Sequence, residues 1–139
     1  MGRTFRPGML LLSALSIVAA AVAPADGDHL ASVVVIDAEE LKAWIDQDRK
    51  ILVIDSRVTA EYREAHIPTA VNIPAQAMDK HRHRFPDDHS YTLVFYCNGW
   101  PECKKSHEAS TKAVAWGYTR VYWFRGGLPA WQVKRYPLE

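Results

Sequence analysis

The sequence predicts an α/β fold, a five-stranded and mostly parallel sheet with helices on both faces. Short apolar runs rich in β-branched residues recur along the chain, and most of them are separated by helical patterns. The five predicted strands cover residues 33–36, 51–54, 70–73, 92–96 and 120–123. Strands separated by helices need crossover connections, which give parallel pairing and a sheet that is covered on both faces. In such sheets the functional crevice lies beyond the carboxyl ends of the strands.

The helices are predicted from their end signals and apolar faces. Asp37 followed three residues later by Glu40 is typical of a helix N-cap and its partner. Leu41 and Trp44 then fall on one face of that helix. Gly117 stands where a glycine usually ends a helix. Further helices are predicted over residues 59–64, 106–116 and 128–134.

Residues 1–25 are predicted to be an export signal and not part of the fold. Arg3 and Arg6 form a short basic region, and residues 9–23 carry no charge. That run is shorter than the roughly 20 residues of a membrane span, and it ends in small residues typical of a cleavage site. We expect cleavage after Ala25, a mature domain over residues 26–139 and a periplasmic or secreted location. An uncleaved N-terminal anchor or a flexible N-terminal tail is the alternative.

The charge balance argues against nucleic acid or an anionic membrane as the main partner. The leader carries two of the 17 basic residues and none of the 16 acidic ones, so the mature domain is nearly neutral. We therefore expect no membrane binding after the signal is removed.

Residues 75–90 have the least readable pattern and include several histidines and aspartates, such as His81 and His83. Their spacing matches no known ligand set, so a solvated loop is favoured over a metal site. We expect neither a metal nor another cofactor.

The predicted strand 92–96 delivers Cys97 at its carboxyl end, and a glycine- and proline-containing loop then leads to a helix near Ser106. Free N–H groups of the loop and of the first helical turn can converge above the sulfur. Such a cradle favours a thiolate or a bound oxyanion. Lys104 and Lys105 add positive potential there. A buried structural cysteine is the alternative.

The candidate loop and substrate-binding residues are Asn98, Gly99, Trp100, Glu102, Lys104, Lys105 and Ser106. Gly99 allows a close backbone approach. Trp100 is a candidate for shaping substrate access.

Several segments, in order and spacing, resemble the motifs of the rhodanese (sulfurtransferase) family. They are Asp-Ser-Arg at 55–57, Glu-Tyr at 61–62, His-Ile-Pro-Thr-Ala at 66–70, Phe-Tyr-Cys at 95–97, Gly-Tyr at 117–118 with Val121, and Gly-Gly-Leu-Pro-Ala-Trp at 126–131. Thr69 stands where the family motif has glycine. The resemblance extends over nearly the whole mature region.

The resemblance implies that Cys97 attacks the outer sulfur of a donor such as thiosulfate and becomes a persulfide. A thiophilic acceptor, a thiol or cyanide, then takes the sulfur in a second displacement. Asp55 and Arg57 would brace the loop through a charge-assisted network. A small-molecule donor and acceptor, with a protein thiol as a further partner, are the expected partners of a monomer.

The loop departs from the common family pattern. Ser106 lies nine positions after Cys97, the intervening residues include no arginine, and they include Cys103. Phosphatase and arsenate-reductase chemistry on this fold needs an arginine that grips the oxyanion with two hydrogen bonds, so the sequence argues against it.

The second cysteine leaves other functions open. A Cys97–Cys103 disulfide is plausible across this gap, and export would place it among oxidants. The domain could then be a thiol-disulfide redox protein, or a persulfide carrier in which Cys103 resolves Cys97. A non-catalytic rhodanese-like binding module is the third interpretation.

The leader prediction can be checked directly. Because a basic start precedes a short apolar run and small residues, the protein recovered from a bacterial periplasm should begin at or near Asp26. Mass spectrometry of the intact protein measures this. A full-length, membrane-bound product would contradict the prediction.

Overall fold

The computed structural model describes residues 32–139 together with Gly2. The predicted export signal and its cleavage position therefore lie outside the described residues, apart from Gly2, and stay a prediction. Within the described part of the chain, no helix is long and apolar enough to cross a membrane.

The described residues form one five-stranded sheet in the order β1-β5-β4-β2-β3, and every strand pairing in it is parallel. The fold class predicted from the sequence is thereby confirmed. The strands are β1 (Val34–Ile36), β2 (Ile51–Asp55), β3 (Val71–Asn72), β4 (Thr92–Tyr96) and β5 (Val121–Phe124).

Four α-helices and two short 3-10 helices accompany the strands, and the last of the α-helices follows β5. They are α1 (Ala38–Asp46), α2 (Thr59–Glu64), α3 (Lys105–Ala115) and α4 (Gly127–Val133), with 3-10 turns at Ala75–Ala77 and Arg82–Arg84. The N-cap predicted at Asp37 is confirmed, because the Glu40 amide donates to its carboxylate over 2.8 Å. Gly117 follows α3 with a φ of 98°, as a terminating glycine does. Helix α4 begins at Gly127 and ends at Val133, so the predicted helix over residues 128–134 is shifted by one residue.

Hydrophobic cores lie on both faces of the sheet. Successive side chains of a strand point to opposite faces, and β4 obeys this rule while being buried throughout. Val94 and Tyr96 pack in the cluster that includes α1 and α4. Leu93 and Phe95 pack in the cluster that includes α3. The segment 75–90, whose sequence predicted no regular element, contributes Met78 and the aromatic ring of Phe85 to this second core.

The sheet order places β4 between β2 and β5, in the middle of the sheet. Because all strands run the same way, their carboxyl ends meet at one edge. Cys97 follows β4 directly. Its predicted position at a strand's carboxyl end is therefore confirmed, and that strand is the central one.

Thr69 adopts a left-handed backbone conformation with a φ of 70°. It lies in a turn closed by the Ala70 amide, which donates to the Ile67 carbonyl over 3.1 Å. A β-branched residue with a positive φ is strained, whereas glycine adopts this conformation freely. This is the position at which the resembling motif has glycine.

Thr69→Gly should stabilise the protein. The left-handed conformation costs a residue with a Cβ roughly 1–2 kcal/mol, and the extra backbone entropy of glycine offsets about 0.5–1 kcal/mol of that gain. The side chain is exposed, so its removal deletes no core contact. We expect a rise of a few degrees in the melting temperature, measured by calorimetry. Thr69→Ala is the matched control and should give no such rise; an equal rise in both variants would contradict the explanation.

Candidate functional site

The segment from Cys97 to Ser106 folds back over the cysteine, which is 1% exposed. Backbone hydrogen bonds hold this loop against the start of α4. The Leu128 amide donates to the Cys97 carbonyl over 2.9 Å, and the Trp100 amide donates to the Arg125 carbonyl over 3.0 Å. Within the loop, the Cys103 amide donates to the Gly99 carbonyl over 2.8 Å. The loop from Cys97 to Ser106, called the active loop below, is therefore held in place by backbone hydrogen bonds.

Two glycines make this close approach possible. Gly127 has a φ of 61°, and a Cβ there would overlap the Cys97 carbonyl and the Gly99 amide nitrogen. Gly99 has a φ of 89°, and a Cβ there would lie 2.7 Å from the carbonyl oxygen of Gly126. The glycine pair that the sequence motif places after β5 thus serves as the surface on which the cysteine loop rests.

Cys97 and Cys103 form a disulfide, with Cα atoms 6.5 Å apart. That separation falls within the range usual for disulfides. Cys97 is buried, while Cys103 is half-buried. The pairing that the sequence left open is thus present in the structure, and Cys103 is the more exposed of the two residues.

The sulfur of Cys97 lies 3.0 Å from the Ser106 hydroxyl oxygen. That hydroxyl oxygen in turn accepts a hydrogen bond of 2.9 Å from the indole nitrogen of Trp123. The carbonyl oxygen of Cys103 lies 3.6 Å from the same sulfur. In the reduced protein this carbonyl could accept a hydrogen bond from the Cys97 thiol and would favour that form. The Ser106 hydroxyl can donate to the thiolate and would favour the charged form.

Helix α3 begins at Lys105, and no side chain caps its first turn. The N–H groups of that first turn have no acceptor within the helix. Ser106 belongs to this turn and contacts the sulfur, so the positive end of the helix lies beside Cys97. The structure therefore brings together the strand end, the loop and the helix start, while the predicted convergence of N–H groups on the sulfur stays a prediction.

The other predicted loop residues have different environments. The Asn98 amide donates to the Glu61 carboxylate on α2. Trp100 is 42% exposed, and the Lys104 ammonium lies 5.8 Å from its ring centre. Glu102 is exposed. Lys104 is therefore positioned over an aromatic ring, and Asn98 ties the loop to α2.

Lys105 lies apart from Cys97. It lines a surface cavity of about 250 Å³ between α3 and the Ala75–Ala77 turn, together with Lys112, and the cavity lining does not include the cysteine. Its predicted role as a loop residue acting on the substrate stays a prediction.

A buried network connects Asp55, Arg57 and Tyr96 at the ends of β2 and β4. The Arg57 guanidinium donates to Asp55 through Nε and Nη2 at 3.0 and 2.6 Å, and the Tyr96 hydroxyl donates to the same carboxylate over 2.7 Å. Nη2 also donates to the Ala65 carbonyl over 2.7 Å. Among the described residues, the hydrogen bonds of this ion pair reach Tyr96, the residue directly before Cys97, and the predicted bracing of the loop stays a prediction.

The pKa directions in this network follow from burial and charge. Burial, followed by the nearby Asp55 charge, raises the pKa of the Tyr96 hydroxyl. Burial alone would lower the pKa of Arg57, but the hydrogen bonds and charge of Asp55 outweigh it and raise that pKa. Tyr96 therefore stays neutral and Arg57 stays charged across the physiological range.

His66 contacts Tyr62 on α2. Its ring stacks on Tyr62 with centroids 3.8 Å apart, and its Nδ1 lies 2.9 Å from the Tyr62 carbonyl oxygen. A carbonyl can only accept, so Nδ1 carries the proton. His81 and His83 have rings 6.2 Å apart, and the described residues contain no cluster of three or more potential metal ligands.

The sequence did not predict the contacts of Trp123, Ser56 and Glu61, although the last two lie within motifs that it showed. The sequence places Trp123 in the fifth predicted strand, and the pairing of β5 with β4, with Trp123 opposite Phe95, brings its indole N–H to the Ser106 hydroxyl. Ser56 follows β2, and its buried hydroxyl has no hydrogen-bond partner among the described residues. The position of Ser56 between Asp55 and Arg57 of a recognised motif was the available signal.

The family model that describes the rhodanese-like domain matches residues 37–134. The chain belongs to the rhodanese-like domain family. The match includes Cys97, the network residues and the glycine pair that supports the loop, so the family resemblance seen in the sequence is confirmed.

Curated relatives of this rhodanese-like chain include a protein named sulfurtransferase from Allochromatium vinosum, which is 30% identical over 96 residues, 69% of this chain and 85% of that protein. The probable adenylyltransferase/sulfurtransferase MoeZ of Mycobacterium tuberculosis is 30% identical over 104 residues, which cover 73% of this chain but 25% of MoeZ. This chain therefore corresponds to one part of that larger protein.

Among solved structures, the BH2092 protein from Bacillus halodurans superposes with a TM-score of 0.68 and 26% identity over 76% of each chain. The thiosulfate sulfurtransferase from Pseudomonas aeruginosa gives a TM-score of 0.67 with 20% identity, over 77% of this chain and 20% of that one. At that identity the second likeness shows the shared fold.

The raised pKa of Tyr96 predicts how stability depends on pH. The free energy of unfolding should fall as the pH rises above about 10, because the unfolded tyrosine ionises there while the buried one stays protonated. Tyr96→Phe should be less stable by about 1–3 kcal/mol at neutral pH, since Asp55 and the Ile67 amide lose a partner. Above pH 10 that difference should shrink. Urea titrations at a series of pH values measure both effects, and parallel pH curves for the two proteins would contradict the assignment.

Proposed function

We propose that this rhodanese-like domain transfers sulfane sulfur through a persulfide on Cys97. Sulfur transfer in general is supported by the family and by relatives that are named sulfurtransferases. The observation that carries the finer proposal is the surroundings of the Cys97 sulfur, which lies at the end of the central strand, 3.0 Å from a hydroxyl on the first turn of α3. That arrangement favours the thiolate that a nucleophile needs.

The proposed first step uses the reduced protein and a donor such as thiosulfate. The Cys97 thiolate attacks the sulfane sulfur of thiosulfate and forms a new S–S bond. The bond between the two donor sulfurs breaks, and sulfite leaves with its electron pair. Cys97 then carries a persulfide, and no net oxidation has occurred.

In the proposed second step an acceptor nucleophile, cyanide or a thiolate, attacks the outer sulfur of the persulfide. The S–S bond breaks and its electron pair returns to Cys97 as the thiolate. Groups that stabilise the Cys97 thiolate therefore help both steps, since this sulfur is first the attacking atom and then the leaving group.

The disulfide supports a role for Cys103 as the resolving cysteine. Its thiolate can attack the inner sulfur of the persulfide, which forms the Cys97–Cys103 disulfide and expels hydrosulfide. An external dithiol must then reduce the disulfide, and we infer attack on Cys103, which is half-buried and the more exposed of the two cysteines. We place this chemistry outside the cytoplasm, on the argument of the leader sequence, where such a disulfide can persist.

A second function, thiol-disulfide exchange without persulfide, is favoured by one observation, the Cys97–Cys103 disulfide itself. In that case the pair cycles between dithiol and disulfide with a dithiol partner. The two functions differ in whether a sulfur atom from the donor ever becomes bound to Cys97.

Substitution of each cysteine separates these functions. With the purified and reduced protein, we expect thiosulfate to add one sulfur atom to Cys97, and Cys97→Ser to abolish both this labelling and the formation of thiocyanate from cyanide. Cys103→Ser is the matched control: it should keep the label and lengthen its lifetime, because the nearby attacking thiol is gone. Mass spectrometry of cysteine-containing peptides and a thiocyanate assay measure these outcomes.

Three results would overturn the proposal. A label on Cys103 that spares Cys97 would invert the roles of the cysteines. Disulfide cycling with no label on either residue would establish the redox function. The absence of both activities would favour a binding module.

A further inference from the structure

We propose that Trp123 is a positioning residue that fixes the Ser106 hydroxyl as a hydrogen-bond donor to the Cys97 sulfur. The inference rests on the proposed function, in that Cys97 is taken as the nucleophile. It assigns a role to a tryptophan on β5 that lies outside the cysteine loop.

The direction of the two hydrogen bonds follows from what each group can do. An indole N–H donates and cannot accept, so the 2.9 Å contact of Trp123 with Ser106 makes the serine oxygen an acceptor. The serine hydrogen then remains for the other partner within reach, the Cys97 sulfur at 3.0 Å. The chain of donors runs from Trp123 through Ser106 to Cys97.

Ser106 differs in this respect from the other hydroxyls of its helix. Ser110 and Thr111 both donate to the His107 carbonyl, over 2.8 and 3.0 Å, as hydroxyls in helices commonly do. The described contacts of the Ser106 hydroxyl are instead Trp123 and Cys97. Without the indole N–H, its hydrogen could turn away from the sulfur.

Trp123 is held rigidly enough to act in this way. It is 7% exposed and pairs with Phe95 in the sheet. The Trp100 ring meets it edge-on with centroids 5.7 Å apart, and the His107 ring lies 4.8 Å away. The indole is thus packed between the sheet and the loop, with its N–H on Ser106.

A donor held in this orientation stabilises negative charge on Cys97. A hydrogen bond to a charged acceptor is stronger than one between neutral groups, and the indole N–H polarises the hydroxyl in the same direction. The effect acts when Cys97 attacks the donor and again when it leaves as the acceptor takes the sulfur. Ser106 touches the reacting sulfur, whereas Trp123 acts through Ser106.

The test measures the thiolate directly, in a Cys103→Ser background in which Cys97 is the single cysteine. The readout is the pH midpoint of the rate at which iodoacetamide alkylates Cys97. Two other titratable side chains contact this assembly, His107 against Trp123 and Lys104 over Trp100, and both stay unchanged in every variant.

Ser106→Ala should raise the midpoint by about one pH unit, a tenfold change in the thiolate equilibrium. Trp123→Phe should raise it in the same direction by a smaller amount, because the hydroxyl remains but is no longer oriented. The double variant should match Ser106→Ala, since Trp123 acts through Ser106. Ser106→Thr keeps a hydroxyl at this position and should leave the midpoint at the value of the parent protein. Trp116→Phe is the matched control, an indole replaced by phenyl in the core around Phe85 and away from Cys97, and should leave it unchanged.

An unchanged midpoint in Trp123→Phe, or shifts that add in the double variant, would overturn the proposal. If Trp123→Phe fails to fold, benzothienylalanine at position 123 keeps the ring shape and lacks the N–H, and the same shift is expected. Persulfide formation is followed in parallel. If the midpoints move as expected but thiosulfate labels no variant, the proposed function fails while the positioning role stands.

Discussion

The buried ion pair between Asp55 and Arg57 is the interaction on which the rest of this structure depends. Burial of a charge is costly, and removal of one partner from a buried pair typically costs about 3–5 kcal/mol. Here the carboxylate accepts from both the guanidinium and the Tyr96 hydroxyl, so the end of β2 is tied to the end of β4. Because Tyr96 precedes Cys97, this network fixes where the central strand ends and the active loop begins.

The position of Cys97 also depends on a second constraint, the close fit between its loop and the start of α4. The Cys97 carbonyl accepts a hydrogen bond from the Leu128 amide, and a Cβ at Gly127 would overlap that carbonyl. The glycine pair after β5 and the cysteine after β4 are thus parts of one surface, although 28 residues of sequence lie between them. A motif at the end of the chain therefore serves the site in its middle.

The two sulfurs have unequal surroundings. In the proposed chemistry this difference determines which sulfur is attacked and which leaves as the thiolate. Cys97 is buried against a hydroxyl donor and the first turn of α3, while Cys103 is half-buried on the loop. In thiol-disulfide chemistry the better-stabilised thiolate leaves and the accessible sulfur is attacked. The long loop lacks the arginine common in this family, and its anion-stabilising groups are instead a helix start and a serine oriented by a tryptophan.

The sequence by itself determined the class of fold, the strand that carries Cys97 and the family motifs, because these depend on local patterns. Alternating apolar runs and helix signals depend on residues that are close together in the sequence, as the Asp37 cap and Gly117 illustrate. The sequence permitted the Cys97–Cys103 disulfide but did not establish it. Tertiary structure decided the order β1-β5-β4-β2-β3, and with it the approach of Trp123 to Ser106. Such contacts join residues on separate elements, and side-chain periodicity within one strand carries no information about which strand lies beside it.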